Sequence, residues 1–402
     1  MSDAHARRAA ELAARESYGR LVALLASRSR DIAAAEDALS EAFAAALSVW
    51  PKSGVPDRPE AWLLVAARRV QGHAARALRG RDAAQPTVAM LADELAQATP
   101  DSIPDERLKL LFVCAHPALD PGVRTALMLQ TVLGLDAARI ATAFLLPPAT
   151  MGQRLVRAKA KIKDAGMPFL VPDLADGSAR LRDVLAAIYA AFGTGWDRPD
   201  DGADAALVEE AIYLARLLVA LLPAAPEAKG LLALMLYCDA RKAARRSASG
   251  AFVPLSRQDP LLWSRDRIVE AEALLVAASK AGQFGRYMCE AAIQSVHVQR
   301  AITGTTHHAA IARLYDLLAA HEPTLGVLVA RAAAVGEAQG AQRGLDLLDE
   351  LPSAQIETYQ PYWATKAHLL KRLGRQEAAY VCTVKAVGLT ADPAIREYLA
   401  DA

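Results

Sequence analysis

Alanine occupies 89 of the 402 positions, and this bias does most to limit what the chain can fold into. Alanine, leucine, arginine and glutamate lose little side-chain freedom in a helix, whereas strands draw on β-branched and aromatic residues. Aromatics make up only 5% of the chain, so an all-α fold is expected. The length suits two or three domains. No run of about 18 charge-free apolar residues occurs, which argues against a transmembrane helix. Asp3, Arg7, Arg8 and Glu11 interrupt the first alanines, so the N-terminus lacks the apolar core of a secretory signal. Cys114, Cys238, Cys289 and Cys382 are far apart and form no paired motif. Reduced, buried thiols in a soluble cytoplasmic protein are expected, with no metal and no cofactor.

Proline, glycine and charge divide the chain into blocks. The segment from Pro51 to Pro59 holds three prolines and a glycine, which predicts a loop between two helices. Residues 85–104 carry acids, prolines and no basic residue, and read as a linker. The expected division is a first helical domain over 1–82, a linker over 83–104, a second domain over 105–166 and an extension over 167–402.

In the first domain, Leu39, Phe43, Leu47 and Trp50 recur at helical spacing. They define an expected packing face opposite Glu36, Asp37, Ser40 and Glu41. Beyond the loop, Pro59 and Glu60 suit a helix N-terminus. The continuation to Arg81 carries Arg68, Arg69, His73, Arg76 and Arg79 without an acid. In the second domain, Gly134 ends an apolar helix and Asp136 is placed to cap a short one. Pro147 and Pro148 force a turn into a helix carrying Arg154, Arg157, Lys159, Lys161 and Lys163. Ile140, Ala141, Phe144, Met151, Leu155 and Ile162 are its expected inward stripe. Short helix, tight turn and basic helix form a helix-turn-helix pattern, whose second helix offers polar side chains to base edges and cations to phosphates.

Net charge is only +1 because two halves cancel: residues 1–170 hold 22 Lys and Arg against 18 Asp and Glu, and the remainder 24 against 27. Basic charge gathers in two acid-free helices, the distribution expected of a nucleic-acid binder.

Taken in order, the motifs resemble an extracytoplasmic-function sigma factor of the sigma-70 family. Ala35 to Phe43 resembles the polymerase-binding part of region 2, Pro59 to Arg69 the adjoining promoter-melting helix, and Gly134 to Lys159 region 4. Asp105 to Leu119, Ala149 to Lys159 and Ala165 to Phe169 are similar to the subgroup with a tetratricopeptide-like C-terminal extension. The resemblance implies core RNA polymerase and promoter DNA as partners, and no catalysis. Carried over residue by residue, it implies polymerase contacts at Glu36, Asp37, Glu41 and Phe43. It implies minus 10 contacts at Arg68, Arg69, His73, Arg76 and Arg79, and minus 35 contacts at Thr150, Gln153, Arg154, Arg157 and Lys159. Arg68-Arg69 stands where many sigma factors have Asn-Arg, and Gly152 stands at a recognition-helix position that is often basic.

The extension reads as consecutive helices with small residues at the crossings, an α-solenoid of four to six degenerate pairs. Leu369 to Ala379, with Leu373-Gly374 at its turn, resembles one tetratricopeptide unit. Covalently joined to both binding modules, the extension is expected to contact and regulate them. A helical-repeat scaffold, or a DNA-binding regulator acting without core polymerase, is the alternative. His116, two residues after Cys114, and the pair His307-His308 are not expected to bind metal.

Overall fold

The computed structural model describes residues 3–79, 106–144, 146–172, 174–196, 202–352 and 356–401. The expected linker at 83–104 lies outside these residues. The fold is all-α: among the described residues β pairing is limited to a single bridge between Arg246 and Phe252. No helix among them is long and apolar enough to cross a membrane. The chain forms two compact units, Met1–Leu214 and Ala215–Ala402.

The first unit is organised around α1 (Asp3–Ser29), which packs on α2 (Ile32–Ser53), α3 (Pro59–Arg79), α4 (Arg107–Cys114) and α5 (Pro121–Leu133). The face that α2 buries is mostly alanine: Ala35, Ala38, Ala42 and Ala46 lie beside Ile32, Leu39 and Trp50. Small side chains let neighbouring helices approach, and the larger Phe43 and Leu47 are turned aside. Leu47 is 45% exposed, and with Phe43, Arg7, Ala10, Glu11 and Ala14 it lines a groove of about 460 Å³. The expected stripe is thus corrected: its ends, Leu39 and Trp50, are core, and its middle is a groove wall.

Helix α2 also continues through Pro51 to Ser53, one turn beyond the expected break, ending where Gly54 donates to the Trp50 carbonyl. Trp50 meets Trp62 edge-on at 5.6 Å between ring centres, joining α2 to α3.

Two glycines allow α1 to meet α5 closely. A Cβ on Gly19 would lie 1.9 Å from the Val132 carbonyl oxygen, and one on Gly134 would lie 2.9 Å from the Tyr18 ring. Gly134 also adopts φ 71° as the left-handed cap of α5. After α5 come α6 (Ala137–Ala143) and α7 (Pro148–Asp164), and then α8 (Leu174–Trp196), which packs on α4 and α5. Arg180 of α8 donates to the Phe112 carbonyl and lies over its ring, while Arg124 pairs with Asp183 at 2.8 Å. The first unit therefore contains the opening helix of the extension as well as the two N-terminal modules.

Helix α9 (Gly202–Leu221) leads into α10 (Pro226–Ala240), α11 (Arg265–Ser279) and α12 (Arg286–Val298). Glu227 accepts from the backbone N–H groups of Tyr287 and Met288, satisfying two free donors at the start of α12. Beyond them, α13 (His308–His321), α14 (Leu325–Gln339), α15 (Ala341–Asp349), α16 (Gln360–Arg372) and α17 (Gln376–Gly388) pack against their neighbours in turn. The expected turn at Gly374 is present at φ 72°, between α16 and α17.

Residues 241–264 depart from the expected run of helices, forming an irregular strap with short 3-10 turns. Arg300 holds it by donating to the carbonyls of Leu255, Ser256 and Gln258 and lying over the Trp263 ring. Arg246 ties it to Asp392, next to α18 (Pro393–Asp401), while Phe252 meets Tyr398 edge-on at 5.3 Å.

The contact at Gly19 yields a direct test. Gly19→Ala should drive α1 away from α5 and cost about 1–3 kcal/mol, the usual penalty for overpacking. Chemical denaturation followed by helical circular dichroism measures it; an unchanged midpoint would contradict so close an approach.

Candidate functional site

The helix-turn-helix is built from local chemistry. Asp136 accepts from the Arg139 backbone N–H at 2.8 Å, capping α6. Pro148 then occupies the first turn of α7, where its missing N–H costs nothing. Met151, Leu155, Ala158 and Ile162 are buried. Of the expected inward stripe, Ile140, Ala141, Met151, Leu155 and Ile162 are core, and Phe144 is half-buried.

Opposite that buried face, Gln153, Arg154 and Arg157 are exposed and Thr150 is half-buried. Their spacing of three, one and three residues aligns them in one row on α7. Val156, 66% exposed, flanks Gln153. The sequence pattern did not single it out, although a valine outside the buried phase of an amphipathic helix was a readable signal. Gly152 is half-buried, with no atom near enough to obstruct a methyl group there.

The remaining lysines of α7 turn elsewhere. Lys159 is only 9% exposed and forms an ion pair with Glu36 of α2. One turn on, Lys163 pairs with Asp31 at 2.8 Å, and Lys161 donates to the Ala118 carbonyl. Lys159 and Glu36, expected to face DNA and polymerase, face each other. The cause is helical phase: Lys159 follows Ala158 and precedes Ile162 on the packed side, while Arg157 lies on the outer one.

Asp31 doubles as the N-cap of α2, accepting from the Ala34 N–H at 3.0 Å. Burial raises its pKa, but Lys163 and the backbone donors outweigh burial and hold the carboxyl below its ordinary range. Glu36 goes the other way: burial, only partly offset by Lys159, holds its carboxyl above the ordinary range. Asp37 and Glu41 remain exposed on α2, and Phe43 is half-buried in the groove wall. On α3, Arg69 and His73 are exposed one turn apart and Arg68 is half-buried. The side chains of Arg76 and Arg79 lie outside the described ones.

His116 occupies the loop after α4, where its Nδ1 accepts from the Ala118 N–H. Burial, followed by Arg180, Arg124 and Lys161, lowers its pKa. Cys114 lies within 3.4 Å of the Thr131 hydroxyl, and burial pushes its thiol up to about 12. No three His, Cys, Asp or Glu side chains converge as metal ligands among the described residues.

This geometry is that of a helix-turn-helix protein with an outward polar and basic row on its second helix. Residues 109–162 match sigma-70 region 4, and residues 180–279 match a family of unknown function, DUF6596. The uncharacterised protein R00370 of Rhizobium meliloti (strain 1021) is 37% identical over 379 residues, spanning 92% of this chain and 89% of that protein. The chain belongs to the same family as the Rhizobium protein, and its region 4 domain supports a sigma-70 family sigma factor, which implies interaction with RNA polymerase and promoter DNA. No solved structure matches the chain.

Amine chemistry checks the orientation of α7. Side-chain exposure is 10% at Lys159 and 61% at Lys163, so a brief pulse of an acetylating reagent should modify Lys163 well before Lys159. Peptide mass spectrometry reads both sites, and equal rates would place Lys159 in solvent.

Proposed function

We propose that the chain is an alternative sigma factor of the extracytoplasmic-function type, which binds core RNA polymerase and directs initiation at promoters through their minus 10 and minus 35 elements. The observation that carries this reading is the outward row of half-buried Thr150 and exposed Gln153, Arg154 and Arg157 within the segment that matches region 4. A helix in the major groove reads bases through such a row, using amide and guanidinium groups that bond base edges in pairs. In this reading Asp37, Glu41 and Phe43 of α2 meet the polymerase together with Glu36. Arg68, Arg69, His73, Arg76 and Arg79 of α3 serve the minus 10 element. The chain binds and positions; it performs no chemistry and takes no cofactor.

The helical extension is a tetratricopeptide-like regulator. Support comes from its successive packed helices and from α8, which lies directly on α4 and α5 of the region 4 domain. Regulation thus has a physical route into the minus 35 module through Arg180 and Asp183.

Transcription in vitro with core polymerase over genomic fragments tests the function: the full chain should confer initiation at a defined set of promoters, and failure to bind core would end the reading. Arg154→Glu should weaken binding to the minus 35 duplex by at least about tenfold, the value of one good base contact, and leave association with core intact. Equal loss of both would remove Arg154 from its assigned role. In this reading the exposed Val156, beside that row, meets a thymine methyl group. Replacing thymine by deoxyuridine at one minus 35 position should weaken binding by about three- to fourfold, as one methyl is worth about 0.8 kcal/mol. Val156→Ala should abolish that difference, and a difference that persists would exclude the contact.

A further inference from the structure

Helices α14, α16, α17 and α18 line a cavity of about 300 Å³ that the proposed function does not use. Most of its wall is apolar: Ala333 of α14, Ala364 and Ala367 of α16, Ala386 of α17, and Tyr398 and Leu399 of α18. Alanine leaves open the space that a longer side chain would fill. The strap at 241–264 holds the α18 side of this wall, where Phe252 meets Tyr398 and Arg246 pairs with Asp392.

The polar groups at the cavity are Thr365, His368, Lys371 and Thr383. Ala364, His368 and Lys371 are four and three residues apart, which sets them along one face of α16. Glu337 engages His368 at 2.9 Å and the neighbouring Arg372 at 2.8 Å, so both already have a carboxylate. Lys371 is half-buried, and among the described residues no carboxylate or carbonyl pairs with it. The half-buried hydroxyls of Thr365 and Thr383 likewise have no hydrogen-bond partner among the described residues. An ammonium partly withdrawn from water and lacking a counter-charge is stabilised by an anion that accepts its hydrogen bonds.

We propose that this cavity binds a small carboxylic acid with an apolar body, the carboxylate meeting Lys371 and the body lying against the alanines. Binding of this kind stands on the cavity alone and does not depend on the sigma-factor reading. Thr365 and Thr383 offer further donors to the same carboxylate. A compact polyanion would need several free cations and a polar wall, whereas the lining supplies one unpaired lysine and many methyl groups. A wholly apolar ligand would bury Lys371 further without a partner. At about 30 Å³ for each water-sized group, the cavity takes about ten non-hydrogen atoms, the lower end of the range for small-molecule sites.

Octanoate is an acid of that size, and octanamide is its uncharged counterpart. Titration calorimetry on the full chain should show octanoate binding at a single site with a Kd below about 1 mM, and octanamide at least about tenfold more weakly. Lys371→Gln should weaken octanoate by about tenfold and leave octanamide unchanged. Ala364→Leu, which fills the cavity, should abolish binding of both, with helical circular dichroism reporting the fold. Lys371→Gln removes no contact within the protein, so it keeps the test available if Ala364→Leu does not fold. Absence of octanoate binding up to about 10 mM, or equal affinity in the parent and Lys371→Gln, would overturn the proposal. Inorganic phosphate binding as tightly as octanoate would make this a site for compact anions and overturn it as well. So would a leucine-ended peptide with a free carboxyl terminus that bound more than about tenfold tighter than octanoate, because the occupant would then be a chain terminus.

Discussion

Everything in the first unit depends on how closely α1 approaches α5. A carbonyl oxygen of one helix lies where a side chain of the other would begin, and only glycine at position 19 permits it. Through this contact α1 becomes a wall shared by the N-terminal helices and the region 4 domain, instead of a member of the first module alone. The alanine stripe of α2 follows the same logic, bringing α2 against α1 with little side chain between them. Since α7 packs against both α5 and α2, the orientation of the second helix of the helix-turn-helix is set by contacts made far from it in sequence.

The parts legible in the sequence are those written in local periodicity and punctuation. Gly134, Asp136 and the two prolines delimit α6 and α7 because each acts on its own backbone: a left-handed cap, a side-chain acceptor, a missing donor. Outward Gln153, Arg154 and Arg157 follow from the same phase that buries Met151, Leu155 and Ile162. Phase also separates Arg157 from Lys159, although a list of basic residues treats them alike. The core of α2 was misread for a different reason. A large apolar side chain marks burial in a sequence, whereas alanine, common throughout this chain, carries no such mark and yet forms most of the buried face. Leu47 is exposed while Ala46 beside it is not.

Long-range partners were not legible at all. The strap at 241–264 is held by Arg300, 42 to 45 residues away in sequence, and nothing in the strap announces that anchor. Glu36 and Lys159 are 123 residues apart, each within a motif that explains it separately, so nothing local indicates that they pair. The match to region 4 covers 109–162 and therefore includes Lys159 but not its partner.

The contact between α2 and α7 is built from charge. Burying an ion pair sacrifices hydration that mutual attraction only partly returns, so such a pair contributes little net stability while penalising any arrangement that leaves one partner buried alone. The raised pKa of Glu36 expresses this balance: burial weighs more on the carboxylate than Lys159 relieves. A hydrophobic seam in the same place would resist opening in proportion to its area and would expose apolar surface once opened. Salt weakens the Asp31–Lys163 pair, whose lysine is exposed, more than the buried Glu36–Lys159 pair. The placement of a buried pair beside a more exposed one thus gives the α2–α7 contact one defined geometry at little net cost in stability.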